Sequence, residues 1–97
     1  MKIENVLFSA VKSALKKLYN LDAEDNQVQL QATRKEFEGD VTLVVFPFLR
    51  FSKKSPEKTG EEIGDFLLEY VETVNSFNVI KGFLNLVIDN EYWIQKL

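Results

Sequence analysis

Residues 55–88, SPEKTGEEIGDFLLEYVETVNSFNVIKGFLNLVI, contain the change of pattern that decides the fold. Ser55-Pro56 is a typical helix start, because Ser is a favoured N-cap and Pro is tolerated at the first helical position. The apolar residues that follow recur at helical spacing: Ile63, Phe66, Leu67, Tyr70, Val71 and Val74. This spacing predicts a helix over residues 57–73.

The same stretch then changes to the pattern of β-strands. Two apolar runs lie on either side of Gly82, which permits a tight turn. They predict short strands at about 76–81 and 83–89. The final residues 91–97, EYWIQKL, predict a helical turn or more, and their apolar side chains favour a chain cut from a longer protein or packed against a partner.

The residues before this stretch have the order of a helix followed by two strands. One apolar stripe predicts a helix over residues 3–19, which Asn20 can end in a left-handed conformation. The alternation that begins at Val28 predicts a half-buried strand, and a β-branched run predicts another at about 41–46. A proline then predicts a short helix over 47–53, because proline lacks the N–H that a central strand needs.

Together these elements predict an α+β fold. The order α-β-β-α-β-β favours a two-layer α/β sandwich, with a small, mostly antiparallel four-stranded sheet and helices on one face. With 97 residues, the chain is the size of one domain, residues 1–97.

The composition excludes several classes of chemistry. The chain has no cysteine and no histidine, which removes disulfides, thiol nucleophiles, the commonest general base and the commonest transition-metal ligands. We therefore expect no catalytic residue and no metal site. The N-terminus is too charged for a signal peptide, and no apolar run is long enough to span a membrane, so a cytoplasmic protein without a membrane partner is expected.

Acidic residues cluster twice without the pattern of a metal site. One row lies on the predicted helix 57–73 and is typical of a solvated helix face. The other cluster, Asp22, Glu24 and Asp25, lacks the spacing and the bidentate Glu of a calcium loop.

Four basic residues lie close together around the short helix and the next helix start: Arg50, Lys53, Lys54 and Lys58. Because a helix N-terminus also favours anions, this group could contact a phosphate backbone. The alternative is that the four residues provide solubility and pair with neighbouring Glu side chains. The net charge of −3 means that any nucleic-acid binding must use such a local patch.

The segment KGFLNL, residues 81–86, is the second candidate site. In a strand, Phe83 and Asn85 point to one face, while Leu84 and Leu86 point to the other. An aromatic ring and a nearby amide can stack on an unpaired base and read its edge. The alternative is an ordinary strand in which Phe83 is half-buried and Asn85 is solvated.

Several of these segments, in order, resemble one family. Lys35, Gly39-Asp40, Ser55-Pro56 and the strand GFLN at 82–85 resemble the N-terminal (additional) domain of bacterial arginyl-tRNA synthetase. The resemblance covers nearly the whole chain, and VTLVVFPFLR and SKKSPEKTGEEIG resemble its Bacteroidetes-like branch. The sequence departs from the family pattern at Val41, at Val44 and at residues 46–48.

The resemblance implies a tRNA-binding accessory domain. Such a domain docks on the elbow of arginine tRNA, at the D-loop, and positions the tRNA for aminoacylation by the catalytic domain of the same polypeptide. It implies that Phe83 stacks on or packs against a D-loop nucleotide and that Asn85 hydrogen-bonds the base. The expected tRNA-binding residues are Lys81, Gly82, Phe83, Asn85, Arg50, Lys53, Lys54 and Lys58, and no DNA partner is implied.

The resemblance also implies what this chain lacks. The parent is a class I aminoacyl-tRNA synthetase, an arginine–tRNA ligase that uses ATP and magnesium, whereas this fragment has no catalytic body and is expected to need no cofactor. The alternative is a protein-interaction module without a nucleic-acid role, which suits the acidic composition. A small phosphatase is disfavoured, because neither Arg34 nor Arg50 follows a Gly-rich anion-binding loop.

Overall fold

The computed structural model describes residues 3–89, so the helical turn predicted at 91–97 lies outside the described residues. The helices are α1 (Ile3–Tyr19), α2 (Leu49–Ser52) and α3 (Pro56–Tyr70), and the strands are β1 (Leu30–Ala32), β2 (Val41–Val44), β3 (Val74–Ile80) and β4 (Phe83–Ile88). Short 3-10 helices lie at Asp25–Gln27 and at Phe46–Phe48, directly before α2. None of the helices described is long and apolar enough to cross a membrane.

The two long helices begin or end at the residues that the sequence indicates. Asn20 follows α1 with a φ of 53°, and the Leu21 N–H donates to the Leu15 carbonyl over 3.2 Å, which closes the last turn. Ser55 caps α3, and its Oγ accepts from the Lys58 N–H at 3.1 Å. The predicted end of α1 and the predicted start of α3 are therefore confirmed, whereas α3 ends at Tyr70 rather than at residue 73.

All four strands form one antiparallel sheet in the order β1-β2-β4-β3. The register places alternate residues of each strand on the face that the helices cover. Five of these are buried, namely Val41, Leu43, Leu84, Leu86 and Ile88, and Leu30, Phe77 and Val79 are partly buried against them. They pack with Leu7, Val11, Leu15, Ile63 and Leu67 of α1 and α3 in one core. The predicted two-layer α+β fold is confirmed.

Helix α3 lies unusually close to the edge strand β3. A Cβ added to Gly60 would lie 2.8 Å from Val79 Cγ1, which is shorter than a normal contact. The helix backbone therefore rests directly on the Val79 side chain. This close approach explains why glycine is tolerated inside α3, where it otherwise weakens a helix.

The strands around the β1–β2 connection are shorter than predicted. β1 begins at Leu30 rather than at Val28, and β2 ends at Val44 because Val45 takes helical angles (φ −94°, ψ −9°). The residues between β1 and β2, 33–40, form a connection loop that returns over the helix-free face of the sheet. This loop decides the environment of one predicted site residue.

Candidate nucleic-acid interface

A two-residue hairpin loop joins β3 to β4 and carries part of the predicted site. Ile80 pairs with Phe83, so only Lys81 and Gly82 lie in the loop. Both have positive φ, 51° and 82°, as a type I′ turn requires. Glycine adopts these angles without strain, whereas Lys81 is held there with its side chain exposed. The hairpin therefore presents a positive charge at its tip.

An aromatic pair lies beside this tip. Phe83 is half-buried on the helix-free face of the sheet, and its ring meets that of Phe46 edge to face, with centroids 6.1 Å apart and planes at 86°. Phe46 is 48% exposed, although it is a large apolar side chain. The Val45 N–H donates to the Gly82 carbonyl over 3.2 Å, which ties the start of the short helical segment to the hairpin. The half-burial expected for Phe83 in an ordinary strand is confirmed.

Asn85 is buried, which neither interpretation of the sequence expected. It shares the helix-free face with Phe83 as predicted, but its exposed fraction is 1%. The connection loop covers it, since a Cβ on Gly39 would lie 3.1 Å from the Asn85 Cβ. The expectation of a solvated Asn85 is wrong, and contact between its amide and a tRNA base stays a prediction that would require the loop to move.

The polar groups around Asn85 form a directed chain of hydrogen bonds. The Thr42 hydroxyl donates to Asn85 Oδ1 at 2.6 Å, so the Thr33 hydroxyl, 2.8 Å away, must donate to Thr42. Asn85 Nδ2 donates to Asn78 Oδ1 at 2.9 Å, and Asn78 Nδ2 donates to the Glu38 carbonyl at 2.7 Å. The chain starts and ends in the connection loop and fastens it to three strands.

The connection loop is also held through its last residue. The Asp40 N–H donates to the Leu86 carbonyl at 2.7 Å, and Asp40 Oδ2 accepts from the Ile88 N–H at 2.8 Å. Gly39-Asp40 and Asn85, which belong to separate sequence motifs, are therefore parts of one structural unit.

The four basic residues around α2 and the start of α3 differ in their contacts. Arg50, Lys53 and Lys58 are exposed, and within residues 3–89 none of them makes an ion pair. The Arg50 guanidinium lies 5.9 Å from the ring centre of Phe51. Lys54, in contrast, pairs with Glu62, so the alternative of pairing with a neighbouring Glu is confirmed for this one residue.

Glu62 joins three parts of the helical layer. It accepts a hydrogen bond from Lys54, which lowers the pKa of its carboxyl, and a second from the Tyr19 hydroxyl at 2.7 Å. Burial of the phenol raises the pKa of Tyr19 above its ordinary value, and the bond to Glu62 raises it further. These contacts connect the end of α1 and the segment before α3 to the middle of α3, and they leave the charge of Lys54 less available to an outside ligand.

Phe46 is the residue of this surface that the sequence did not reveal. The sequence pattern predicts Phe46 at the end of a strand, whereas it is the first residue of the 3-10 helix Phe46–Phe48. The tip of its ring, at Cζ, occupies the position that a side chain on Gly82 would take. Phe46 therefore connects the hairpin to the segment that carries Arg50, so the two predicted groups of site residues meet through an aromatic ring.

The acidic residues are arranged as ordinary surface charges. Asp25 pairs with Lys12 at 2.8 Å and Asp22 with Lys16 at 3.3 Å. Among the residues described, no group of three or more ligand-type side chains could hold a metal ion. A groove of about 390 Å³ between α3 and β3 is lined by Glu57, Glu61, Asp65, Phe77, Asn78 and Val79.

Comparison with known proteins gives the family. The family described as "Arginyl tRNA synthetase N terminal domain" matches residues 5–88. The chain belongs to this family. The arginine–tRNA ligases of Bacteroides fragilis and Parabacteroides distasonis are 57% and 55% identical to it over 97 residues, which is all of this chain and 16% of each ligase. The chain therefore spans about a sixth of the length of these curated relatives.

A solved structure agrees with the fold of this synthetase domain. Thermus thermophilus arginyl-tRNA synthetase superposes with a TM-score of 0.81 over 98% of this chain and 15% of that one, at 21% sequence identity. At this identity the likeness establishes the fold alone. The predicted resemblance to an arginyl-tRNA synthetase N-terminal domain, of Bacteroidetes type, is confirmed by the family match and the relatives.

Proposed function

We propose that this domain docks on the D-loop side of the elbow of arginine tRNA, in the cytoplasm, as part of an arginine–tRNA ligase. The observation that carries the proposal is the aromatic pair of Phe46 and Phe83 beside the positively charged tip of the hairpin. Exposed bases stack on aromatic side chains, and lysine or arginine attracts the adjoining phosphates.

The phosphate contacts are assigned to the exposed basic residues. Lys81 lies at the hairpin tip, and Arg50, Lys53 and Lys58 surround the start of α3 without ion pairs among the residues described. Lys54 contributes less, because Glu62 already neutralises it. These contacts orient the tRNA, whereas sequence preference comes from the aromatic contact at Phe83.

Asn85 has a different place in the proposal from the one first expected. Its amide oxygen already accepts from Thr42 and its amide nitrogen already donates to Asn78, so its first contribution is to hold the connection loop against the sheet. A direct hydrogen bond from Asn85 to a base would follow release of this loop when the tRNA binds.

The reaction itself is assigned to the rest of the parent enzyme. We propose that the catalytic domain, of class I and dependent on ATP and magnesium, lies on the same polypeptide. With a net charge of −3, the domain alone would bind tRNA weakly. Attachment to a catalytic domain that also holds the tRNA raises the effective concentration and makes a weak contact useful.

The test uses the intact ligase and measures the affinity for arginine tRNA at rising salt. Phe83→Ala should weaken binding by about fivefold to a hundredfold, since base stacking contributes about 1–3 kcal/mol. Lys81→Gln should reduce the salt dependence without changing base preference. Substitution of the unpaired D-loop base should weaken wild type but not the Phe83→Ala variant.

A protein-interaction module is the competing function. The observation in its favour is the acidic groove along the edge strand β3, lined by Glu57, Glu61 and Asp65. If Phe83→Ala combined with Asn85→Ala leaves tRNA affinity and arginylation unchanged in a folded enzyme, tRNA docking is wrong and this alternative is favoured.

A further inference from the structure

Phe46 has the environment of a contact residue rather than of a core residue. Phe48, two residues later, is fully buried, whereas Phe46 leaves 48% of its surface in solvent. Neither strand pairing nor helix packing requires an aromatic ring at this position. The ring nevertheless has a defined place, between Gly82 and the edge-to-face contact with Phe83.

The two rings form a corner that suits a planar ligand. Their planes are 86° apart, so a base that lies flat on one ring must present its edge to the other. Edge-to-face and stacked contacts are both favourable arrangements for aromatic groups. A single unpaired base can therefore use both rings at once, whereas a base pair within a helix presents no free face.

The corner is held in place before any ligand binds. The hydrogen bond from the Val45 N–H to the Gly82 carbonyl fixes the backbone beside Phe46 relative to the hairpin. Gly82 has no side chain, and the tip of the Phe46 ring takes that space. Lys81 precedes Phe83 by two residues and Arg50 follows Phe46 by four, and both are exposed, so their charges are available to the phosphates of a bound nucleotide.

We propose that Phe46 is a second nucleobase-contacting residue, which together with Phe83 receives one unpaired base of the tRNA. The inference rests on the proposed tRNA-docking function and adds a residue that determines specificity for an unpaired base. Loss of Phe46 lowers the affinity for a tRNA with an exposed D-loop base and has little effect on a tRNA without one.

The test uses the intact ligase and an arginine tRNA with 2-aminopurine at the unpaired D-loop position, whose fluorescence is quenched by stacking. Phe46→Leu keeps an apolar side chain against Gly82 but removes the ring. The matched control is Tyr70→Leu, because Tyr70 is an exposed aromatic residue at the last position of α3, whereas the Phe51 ring lies beside the Arg50 guanidinium. Phe83→Leu reports on the docking function itself, and thermal unfolding of each variant checks the fold.

We expect Phe46→Leu to reduce the quenching and to weaken tRNA binding about fivefold or more, while Tyr70→Leu changes neither. Phe46→Trp should keep the quenching, which a role limited to supporting Phe83 would not require. If Phe83→Leu weakens binding and Phe46→Leu does not, the inference about Phe46 is wrong and tRNA docking stands. If neither variant affects binding, the docking function also fails.

Discussion

Thr42 and Asn85 face each other across β2 and β4, and the Thr42 hydroxyl donates to Asn85 Oδ1 over 2.6 Å. Their exposed fractions are 3% and 1%, so both polar groups depend on each other rather than on water. On a sheet face without helices, burial comes from the connection loop instead. The bond is therefore part of what keeps that loop in place.

Replacement of Thr42 by Val should destabilise the domain. Val has nearly the same shape, but it leaves Asn85 Oδ1 buried without a donor, which costs about 1–3 kcal/mol. Urea unfolding measures the loss. The matched control is Gln31→Ala, which lies beside Thr42 on the same face but is exposed, and should change stability by less than about 0.5 kcal/mol. Equal losses in the two variants would contradict the role of the hydrogen bond.

Replacement of Gly60 by Ala should also destabilise the domain, although alanine favours helix. The new Cβ would lie 2.8 Å from Val79 Cγ1, and Val side chains have little rotamer freedom. Overpacking of about 1–3 kcal/mol should exceed the gain of up to about 1 kcal/mol in helix propensity. Glu61→Ala is the control on the exposed face of α3.

The steric cause can be separated by adding Val79→Ala. If the clash is with Val79, the double variant should be more stable than the sum of the two single effects predicts, with a coupling of about 0.5–3 kcal/mol. Strict additivity in chemical unfolding would show that Gly60 matters for another reason.

Replacement of Lys81 by Asn should raise stability and lower tRNA affinity. Asn adopts the positive φ of a type I′ turn more readily than Lys, so a gain of about 1 kcal/mol is expected. The same change removes the charge at the hairpin tip and should weaken binding of the intact ligase at low salt. Lys17→Asn, an exposed change in α1, is the control for charge alone. If stability and tRNA affinity both rise or both fall in Lys81→Asn, the assignment of Lys81 as a strained, tRNA-contacting turn residue is contradicted.

The ion pair of Lys54 with Glu62 should make stability depend on acid. The folded pKa of Glu62 lies below its ordinary value of 4.5, so the unfolded chain takes up the proton first as pH falls. The stabilisation is therefore complete above pH 4.5 and is lost as pH falls through the folded pKa. Urea unfolding across the acid range should show a shallower decline for Glu62→Gln.

A second variant tests the cause of this shift. Lys54→Met removes the largest contribution, so it should also flatten the acid decline, and its combination with Glu62→Gln should add nothing more. The raised pKa of Tyr19 affects the stability of the domain at alkaline pH. The contribution of the protonated Tyr19 to the free energy of unfolding is complete below the ordinary pKa of 10.0 and is lost as pH rises above it. Tyr19→Phe should abolish this loss of stability at high pH.

The order of elements was predictable because each is specified locally. The apolar stripe of α1, the Ser55 cap and the alternation of Leu84 and Leu86 depend on residues a few positions apart. Antiparallel pairing of β3 with β4 then follows from their two-residue connection. The observed helix and strand boundaries differ from the predicted ones by a few residues. Helix α3 ends at Tyr70, for example, because Val71 takes extended backbone angles although the apolar pattern continues.

The environment of the site residues was not predictable in the same way. Asn85 is buried by a loop whose residues lie about 45 positions earlier, and no spacing within GFLN indicates that cover. Phe46 is exposed because Val45 turns the chain out of the sheet two residues earlier than the predicted strand end at residue 46. Burial in both cases depends on how distant segments meet, whereas the turn at Gly82 depended only on neighbours, although Lys81 lies in the loop rather than at the end of the predicted strand 76–81.

The hydrogen-bond chain that runs from Thr33 to the Glu38 carbonyl has a direction, since every member donates to the next. A substitution at Asn78 or Asn85 that replaces a donor by an acceptor also leaves the neighbouring residue without its hydrogen-bond partner. Among relatives, we expect these positions to be inherited as a set and exchanged together. The side chains of residues 34–37 take no part in this series of hydrogen bonds, so these residues can be substituted one at a time. The loop can therefore acquire new contacts without a change to the sheet beneath it.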